Sequence, residues 1–352
     1  MSASLRRPPR LRARGFTIIE LMIAMLLGLI VIGGVLGVVL IMLQTSRTNA
    51  ALSEVQSGTR LAFELMAYDI RNARLTGCGN NGRVTNVLDK QGTAWWANWS
   101  NNVFIGYAGT QVDPAVAVGT KPADRLDGTD SLTVLSAADS AMSVNTHDPA
   151  GTFTVNGDIG NLRETGGDVL IVCDQDHAAI FQTASATKNS PPALSVLTYT
   201  ATGGNCSLDL GFPGTCPGGG KPYTFRANSQ IAPLSAADWY VGVSQANPPD
   251  GSYSLYRLAL AYNNSTNTFV PTAQEIVRNV SATDGMTLSY LQSGAAPIKF
   301  NTADKITDWA KVTAVQVTLT LQSSSQRAGA DAQPLKRDYT ATIALYNNLD
   351  RP

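Results

Sequence analysis

Glu20 carries the most unusual chemistry in this sequence. It is the single charged side chain in residues 16–43, FTIIELMIAMLLGLIVIGGVLGVVLIML, a run of 28 residues. A carboxylate inside such a run costs up to about 2.5–3.5 kcal/mol at the centre of a bilayer and less near an edge. Two readings compete. The side chain can reach back to the headgroups, or it can form an ion pair with a positive group of a neighbouring chain. The specific residues around Glu20 favour the second.

Other chemistry-bearing residues are sparse. The two histidines are His147 and His177. His177 closes Asp174-Gln175-Asp176-His177, an acid beside a base, yet it reads better as a polar turn after a buried strand. Asp124, Asp127 and Asp130 in DRLDGTD have the residue type for calcium. Their spacing does not match an EF-hand loop, and aspartates beside glycine are common in turns. Trp95, Trp96 and Trp99 cluster in AWWANW. They read first as a core or loop-anchoring group and second as an exposed contact for a partner. No G-x-S-x-G, H-E-x-x-H or G-x-x-x-x-G-K-[ST] sequence occurs, so the expectation is a protein without enzymatic turnover and without a cofactor.

The elements that position these residues follow from composition and periodicity. The chain has 352 residues, 44% hydrophobic and 15% charged, ample for a core and too apolar for a disordered tail to dominate. Basic and acidic residues number 26 each, but residues 1–15 hold five arginines and no acid. The remainder is mildly acidic, which disfavours nucleic acid as a partner. Residues 16–43 as a helix span about 42 Å, more than the roughly 30 Å hydrocarbon core. The positive-inside rule puts residues 1–15 in the cytoplasm and the chain after about residue 46 across the membrane. A secretory signal fits badly, because the apolar run is too long and no small-x-small site follows it.

The helical pattern continues. Leu52, Val55, Thr59, Ala62, Met66, Ile70 and Ala73 recur at steps of three or four, with Arg60, Glu64, Asp69, Arg71 and Arg74 assigned to other faces. Gly77 reads as the stop. A one-sided stripe outside the membrane needs a sheet to cover it. After residue 77 the signals are strands and turns: Ser131–Ser136, Gly167–Asp174, Ala178–Thr183, Ser195–Thr200, a hairpin of Ser252–Tyr262 with Asn267–Pro271, Met286–Leu291, Val312–Leu321 and Tyr339–Leu345. Residues 203–222 and 323–334 read as loops.

Cys78, Cys173, Cys206 and Cys216 all fall on the trans side of the membrane by this topology. An even count in an oxidising compartment favours disulfides. Three pairings are possible. The favoured one joins Cys206 to Cys216 across a short loop and Cys78 to Cys173, helix end to central strand. Without a C-x-x-C pair, a zinc site is disfavoured.

Gly15-Phe16-Thr17-Ile18-Ile19-Glu20-Leu21-Met22, behind the basic leader, resembles the type III signal of type IV pilins and pseudopilins. The resemblance implies that a prepilin peptidase cuts after Gly15 and methylates the new terminus, Phe16. It also implies that Glu20 pairs with the amine of an adjacent subunit in a helical filament. Gly28, Gly33, Gly34 and Gly37 fit a close-packed membrane helix; many major pilins have proline where Gly37 stands. Leu61–Cys78, Gly128–Val134, Gly167–Cys173, Glu275–Val280 and Trp309–Leu321 are similar to segments of the minor pilin family PilW, although Tyr346-Asn347-Asn348 departs from the usual ending.

The expected fold is therefore α+β, a long N-terminal helix packed on a large, loop-rich, mainly antiparallel β domain. Residues 1–15 form the leader, 16–46 the membrane and filament-core half of the helix, 47–76 its amphipathic half, and 77–352 the periplasmic or extracellular body. The resemblance implies a minor pilin that primes type IV pilus assembly and sits at or near the tip, supporting twitching motility and adhesion. Its partners would be other minor pilins, the major pilin, the prepilin peptidase, the inner-membrane assembly platform and a tip adhesin. The alternatives are a J-type pseudopilin of a type II secretion system and a tethered periplasmic binding module or enzyme.

Overall fold

Ile18–Asn72 forms a single α-helix, α1, in a computed structural model of the protein. The structure describes residues 17–79, 82–99, 103–139, 141–188, 194–247, 249–263, 268–294, 297–325, 329 and 333–347. The chain divides into two units, residues 1–53 with 325–335, and residues 54–324 with 336–352.

In the first unit α1 exposes apolar side chains all round, from Ile18 at 80% to Val39 at 43%. A helix apolar on every face and bare of protein is suited to lipid or to other helices, since in water it would leave each of these side chains unburied. The helix runs unbroken through Gly28, Gly33, Gly34 and Gly37, and no atom of another part of the chain lies within 4 Å of where a side chain on these glycines would begin.

The second unit is built on strands. Among the described residues they begin with β1 (Val84–Asn86), β2 (Phe104–Tyr107), β3 (Ser131–Ala137), β4 (Met142–Asp148), β5 (Thr152–Asn156) and β6 (Val169–Cys173). Next come β7 (Ala178–Gln182), β8 (Ser185–Lys188), β9 (Leu194–Thr198), β10 (Gly211–Thr215), β11 (Gly219–Lys221) and β12 (Gln230–Val243). The last are β13 (Tyr253–Asn263), β14 (Thr268–Val280), β15 (Met286–Gln292), β16 (Phe300–Asn301), β17 (Val312–Gln322) and β18 (Lys336–Ala344). Pairing is antiparallel except where β1 runs parallel to β7 and β10. The fold is α+β, with the long helix first and a mainly antiparallel β domain after it.

β12 joins two sheets. Its residues Gln230–Pro233 pair with β6, Leu234–Tyr240 with β3, and Ala237–Val243 with β13. Around its second half lies the sheet β2–β3–β12–β13–β14, with β15, β17 and β18 adjoining through Val280 opposite Leu321. The C-terminal part of α1 packs on this sheet. Val55, Ala62, Met66, Ile70 and Ala73 share one core with Leu132, Val134, Trp239, Val241, Leu255, Val315 and Val317. Burying Met66 or Ile70 contributes about 1.5–3 kcal/mol each. A second, all-β core gathers Phe153, Phe181, Tyr199, Phe225 and Leu197 from β4–β9 and the loops beside them.

Three expectations need correction. Asp69 and Arg74, assigned to faces other than the apolar stripe, are buried at 5% and 7% exposure. Asp69 lies next to the buried Ile70 and takes a bidentate ion pair from Arg257, at 2.7 and 3.1 Å, plus a hydrogen bond from Trp239 Nε1 at 2.9 Å. Partners on the sheet make this burial affordable, and helical periodicity does not register them. The helix also ends before Gly77. Asn72 is its last residue, and Arg74 turns left-handed at φ 66°. The chain leaves the helix there because β3 captures it: Arg74 N–H bonds Leu135 O at 3.0 Å, and Ala137 N–H bonds Leu75 O. Finally, residues 203–222, expected as loop, contain β10 and β11.

Candidate functional site

The N-terminal end of α1 is where the unusual carboxylate lies. Gly15 and Phe16 fall outside the described residues. Thr17 and Glu20 are described, and they form a reciprocal pair. Glu20 N–H donates to Thr17 Oγ1 at 3.2 Å, while Glu20 Oε2 accepts from Thr17 N–H and Thr17 Oγ1, both at 3.2 Å. This is a capping box, in which Thr at the cap and Glu three residues on satisfy two backbone amides that the first turn leaves without partners. A negative charge at this end also faces the positive end of the helix dipole. Thr17 is thus a capping residue that reading for charge alone overlooks. The signal that finds it is the Thr-x-x-Glu spacing ahead of an apolar run.

The surroundings of Glu20 are bare. Ile18, Ile19, Leu21 and Met22 are 80%, 70%, 51% and 66% exposed. The carboxylate therefore sits in an apolar collar, tethered to its own helix end and open to the side. In a low-dielectric setting such a group attracts a cation strongly, because water does not compete for it. The arrangement offers charge pairing between chains, and Thr17 holds the acid at the terminus where that pairing would occur.

The remaining sequence-predicted residues belong to the second unit. His147 is buried in the all-β core and stacked on Phe153, with ring centroids 3.9 Å apart. Its Nδ1 accepts from Phe225 N–H at 3.0 Å, so Nε2 carries the proton toward Tyr199 Oη at 2.9 Å. Burial pulls its pKa down to about 4, which keeps the ring neutral. His177 is fully buried, with Nδ1 2.9 Å from Asp176 Oδ2 and Nε2 2.9 Å from Leu210 O. Both ring nitrogens are engaged, Nε2 inside the fold and Nδ1 by the exposed Asp176, and the bond to His177 holds the Asp176 carboxyl below its usual range.

The three aspartates of DRLDGTD do different jobs. Asp124 Oδ2 accepts from Lys121 N–H at 2.8 Å, closing a turn. Asp130 accepts from Gly109 N–H at 3.0 Å and Leu288 N–H at 2.7 Å, so each oxygen is taken by backbone. Asp127 is exposed. Trp96 and Trp99 are buried, and with the half-buried Trp95 they join the core formed by β3, β6, β7 and β12. The cysteines form two disulfides, Cys78–Cys173 and Cys206–Cys216. The first ties the segment leaving α1 to the end of β6, where Cys173 pairs with Gln230 of β12.

Residues 10–36 match the family model described as the prokaryotic N-terminal methylation motif. Comparison with curated proteins gave no match, and comparison with solved structures gave none either. The matched stretch contains Gly15, Phe16, Thr17 and Glu20 together with the first part of the apolar helix. The chain therefore carries the N-terminal methylation motif and is, at this end, type IV pilin-like.

Proposed function

We propose that the protein is a minor pilin of the PilW type that primes type IV pilus assembly and resides at or near the pilus tip. The observation that carries this reading is Glu20, placed at the exposed N-terminal end of an apolar helix within a matched methylation motif. In this reading the prepilin peptidase removes residues 1–15 and methylates Phe16. The helix then waits in the inner membrane with the body in the periplasm. Glu20 pairs with the terminal amine of an adjacent subunit, and the ion pair offsets the cost of a carboxylate in hydrocarbon as the helix enters the bundle. The body serves as a surface for other minor pilins, the major pilin and a tip adhesin, in support of twitching motility and adhesion, with no turnover of its own. Its bulk supports a place at the tip, since a large body is hard to stack in thousands of copies.

Intact-mass analysis of the chain from cells with active prepilin peptidase tests the processing. The expected product starts at Phe16 and carries one added methyl group; a product that starts at Met1 overturns the reading. Co-purification then tests the system. Pilus minor pilins as partners support the proposal, and secretion pseudopilins as partners replace it with the J-type reading.

A further inference from the structure

The face of the β2–β3–β12–β13–β14 sheet turned away from α1 holds a buried charged group that filament assembly does not use. The residues alternate along the strands: Leu132, Val134, Trp239 and Val241 pack with α1, which leaves Ser131, Thr133, Asp238 and Tyr240 on the other side. The segment 108–130 covers them as a strap. Arg125 plugs the strap from within. It is fully buried, and its guanidinium donates to the carbonyls of Ala108, Gln111 and Thr129. The strap also lowers Asp113 toward the sheet, where Oδ2 accepts from Ser131 Oγ and Oδ1 from Ala115 N–H at 2.7 Å.

Asp113 meets Asp238 there. Asp238 is fully buried, and its Oδ1 accepts from Thr133 Oγ1 at 2.8 Å. Its Oδ2 is buried with no donor in reach. The neighbour of Asp238 is the Asp113 carboxyl, another acceptor: Asp238 is anchored on Thr133 and Asp113 on Ser131, two residues apart on the same face of β3. Two ionised carboxylates cannot hydrogen-bond each other. A proton on one of them supplies the missing donor and removes the repulsion.

We propose that Asp113 and Asp238 share one proton, and that this proton latches the strap 108–130 onto β12.

Burial raises both carboxyls above the usual range, Asp238 well above it. The groups facing the pair agree with a single shared proton. Arg125 is the cation beside it and favours one ionised carboxylate. Asp130, on the strap, is a further acid beside Arg125. Tyr107 on β2, Tyr240 on β12 and Tyr290 on β15 face the acids as neutral phenols, pushed up chiefly by burial. A carboxyl raised in the fold contributes stability that is complete below its unfolded pKa and is lost as pH rises through its folded pKa. The latch is therefore complete in acid and weakens as pH rises above the ordinary carboxylate range.

The test uses the full chain in detergent micelles. Asp238→Asn supplies a permanent amide donor toward Asp113 without a titrating proton. From about pH 5 to about pH 9, the wild-type melting midpoint should fall relative to this variant by about 3 °C or more. Protease cleavage within 108–130 should rise with pH in the wild type and stay flat in the variant. Matching pH profiles overturn the proposal. Infrared spectroscopy reads the proton directly and does not require the variant to fold: a protonated-carboxyl band in the wild type at about pH 5, above the ordinary carboxylate range, supports the latch, and its absence overturns it. A melting midpoint that falls on adding a chelator also overturns it, because a cation would then fill the place of the proton.

Discussion

Thr17 and Glu20 place two functions on one carboxylate. In the single chain Glu20 completes a capping box; in the proposed filament it pairs with an amine of a neighbour. Two substitutions separate these functions. Thr17→Ala removes the cap and keeps the charge, so it should loosen the first turn by about 0.5–2 kcal/mol. Amide hydrogen exchange at Ile18–Glu20 in micelles should accelerate, while filament number falls little. Glu20→Gln keeps a side chain that still serves a capping box but removes the charge. It should leave exchange in the first turn near wild type and abolish filaments. Normal filament yield with Glu20→Gln would show that the charge is dispensable and that the segment serves as a membrane tether.

At the scale of elements, the C-terminal part of α1 is held to its sheet by apolar packing and by one ion pair. Met66 and Ile70 supply the packing. Asp69 supplies direction, because it binds Arg257 of β13 and Trp239 of β12 at once, in one rotational setting of the helix. Asp69→Ala leaves the Arg257 guanidinium half-buried without its carboxylate and the Trp239 Nε1–H without an acceptor. The expected cost is about 3–5 kcal/mol. Met66→Ala should cost about 2–5 kcal/mol through the cavity it opens. Thermal unfolding of the two variants measures both. A loss below about 1 kcal/mol for Asp69→Ala would mean that the pair directs the helix without stabilising it. The apolar stripe was legible from spacing, and Val55, Thr59, Ala62, Met66, Ile70 and Ala73 are all buried, with Leu52 half-buried. Asp69 was not legible, since its burial depends on Arg257, 188 residues away.

Across the whole molecule, the two disulfides close loops of very different length, with sequence separations of 95 and 10 residues. Chain entropy gives the long loop about 4–5 kcal/mol and the short one about 3 kcal/mol or less. Replacing Cys78 and Cys173 by alanine should therefore lower the melting midpoint more than replacing Cys206 and Cys216. The reverse order would mean that the short loop carries strain or contacts beyond its closure. What the sequence settles about this protein is local. An apolar run declares its need for lipid or helix neighbours, and a stripe at helical spacing declares a buried face. Alternation from Val315 to Leu321 declares a strand, here β17, with Val315, Val317, Leu319 and Leu321 all buried. These features need nothing beyond a few neighbouring residues. β12, the strand that joins the two sheets, is not legible in the sequence because Pro233 and the alanines at 232, 236 and 237 lack strand character. It becomes a strand because β3, β6 and β13 all present it with backbone partners. The helix end at Asn72, the buried Asp69 and the meeting of Asp113 with Asp238 are likewise decided by tertiary structure, because each depends on a group distant in sequence brought near by the sheets.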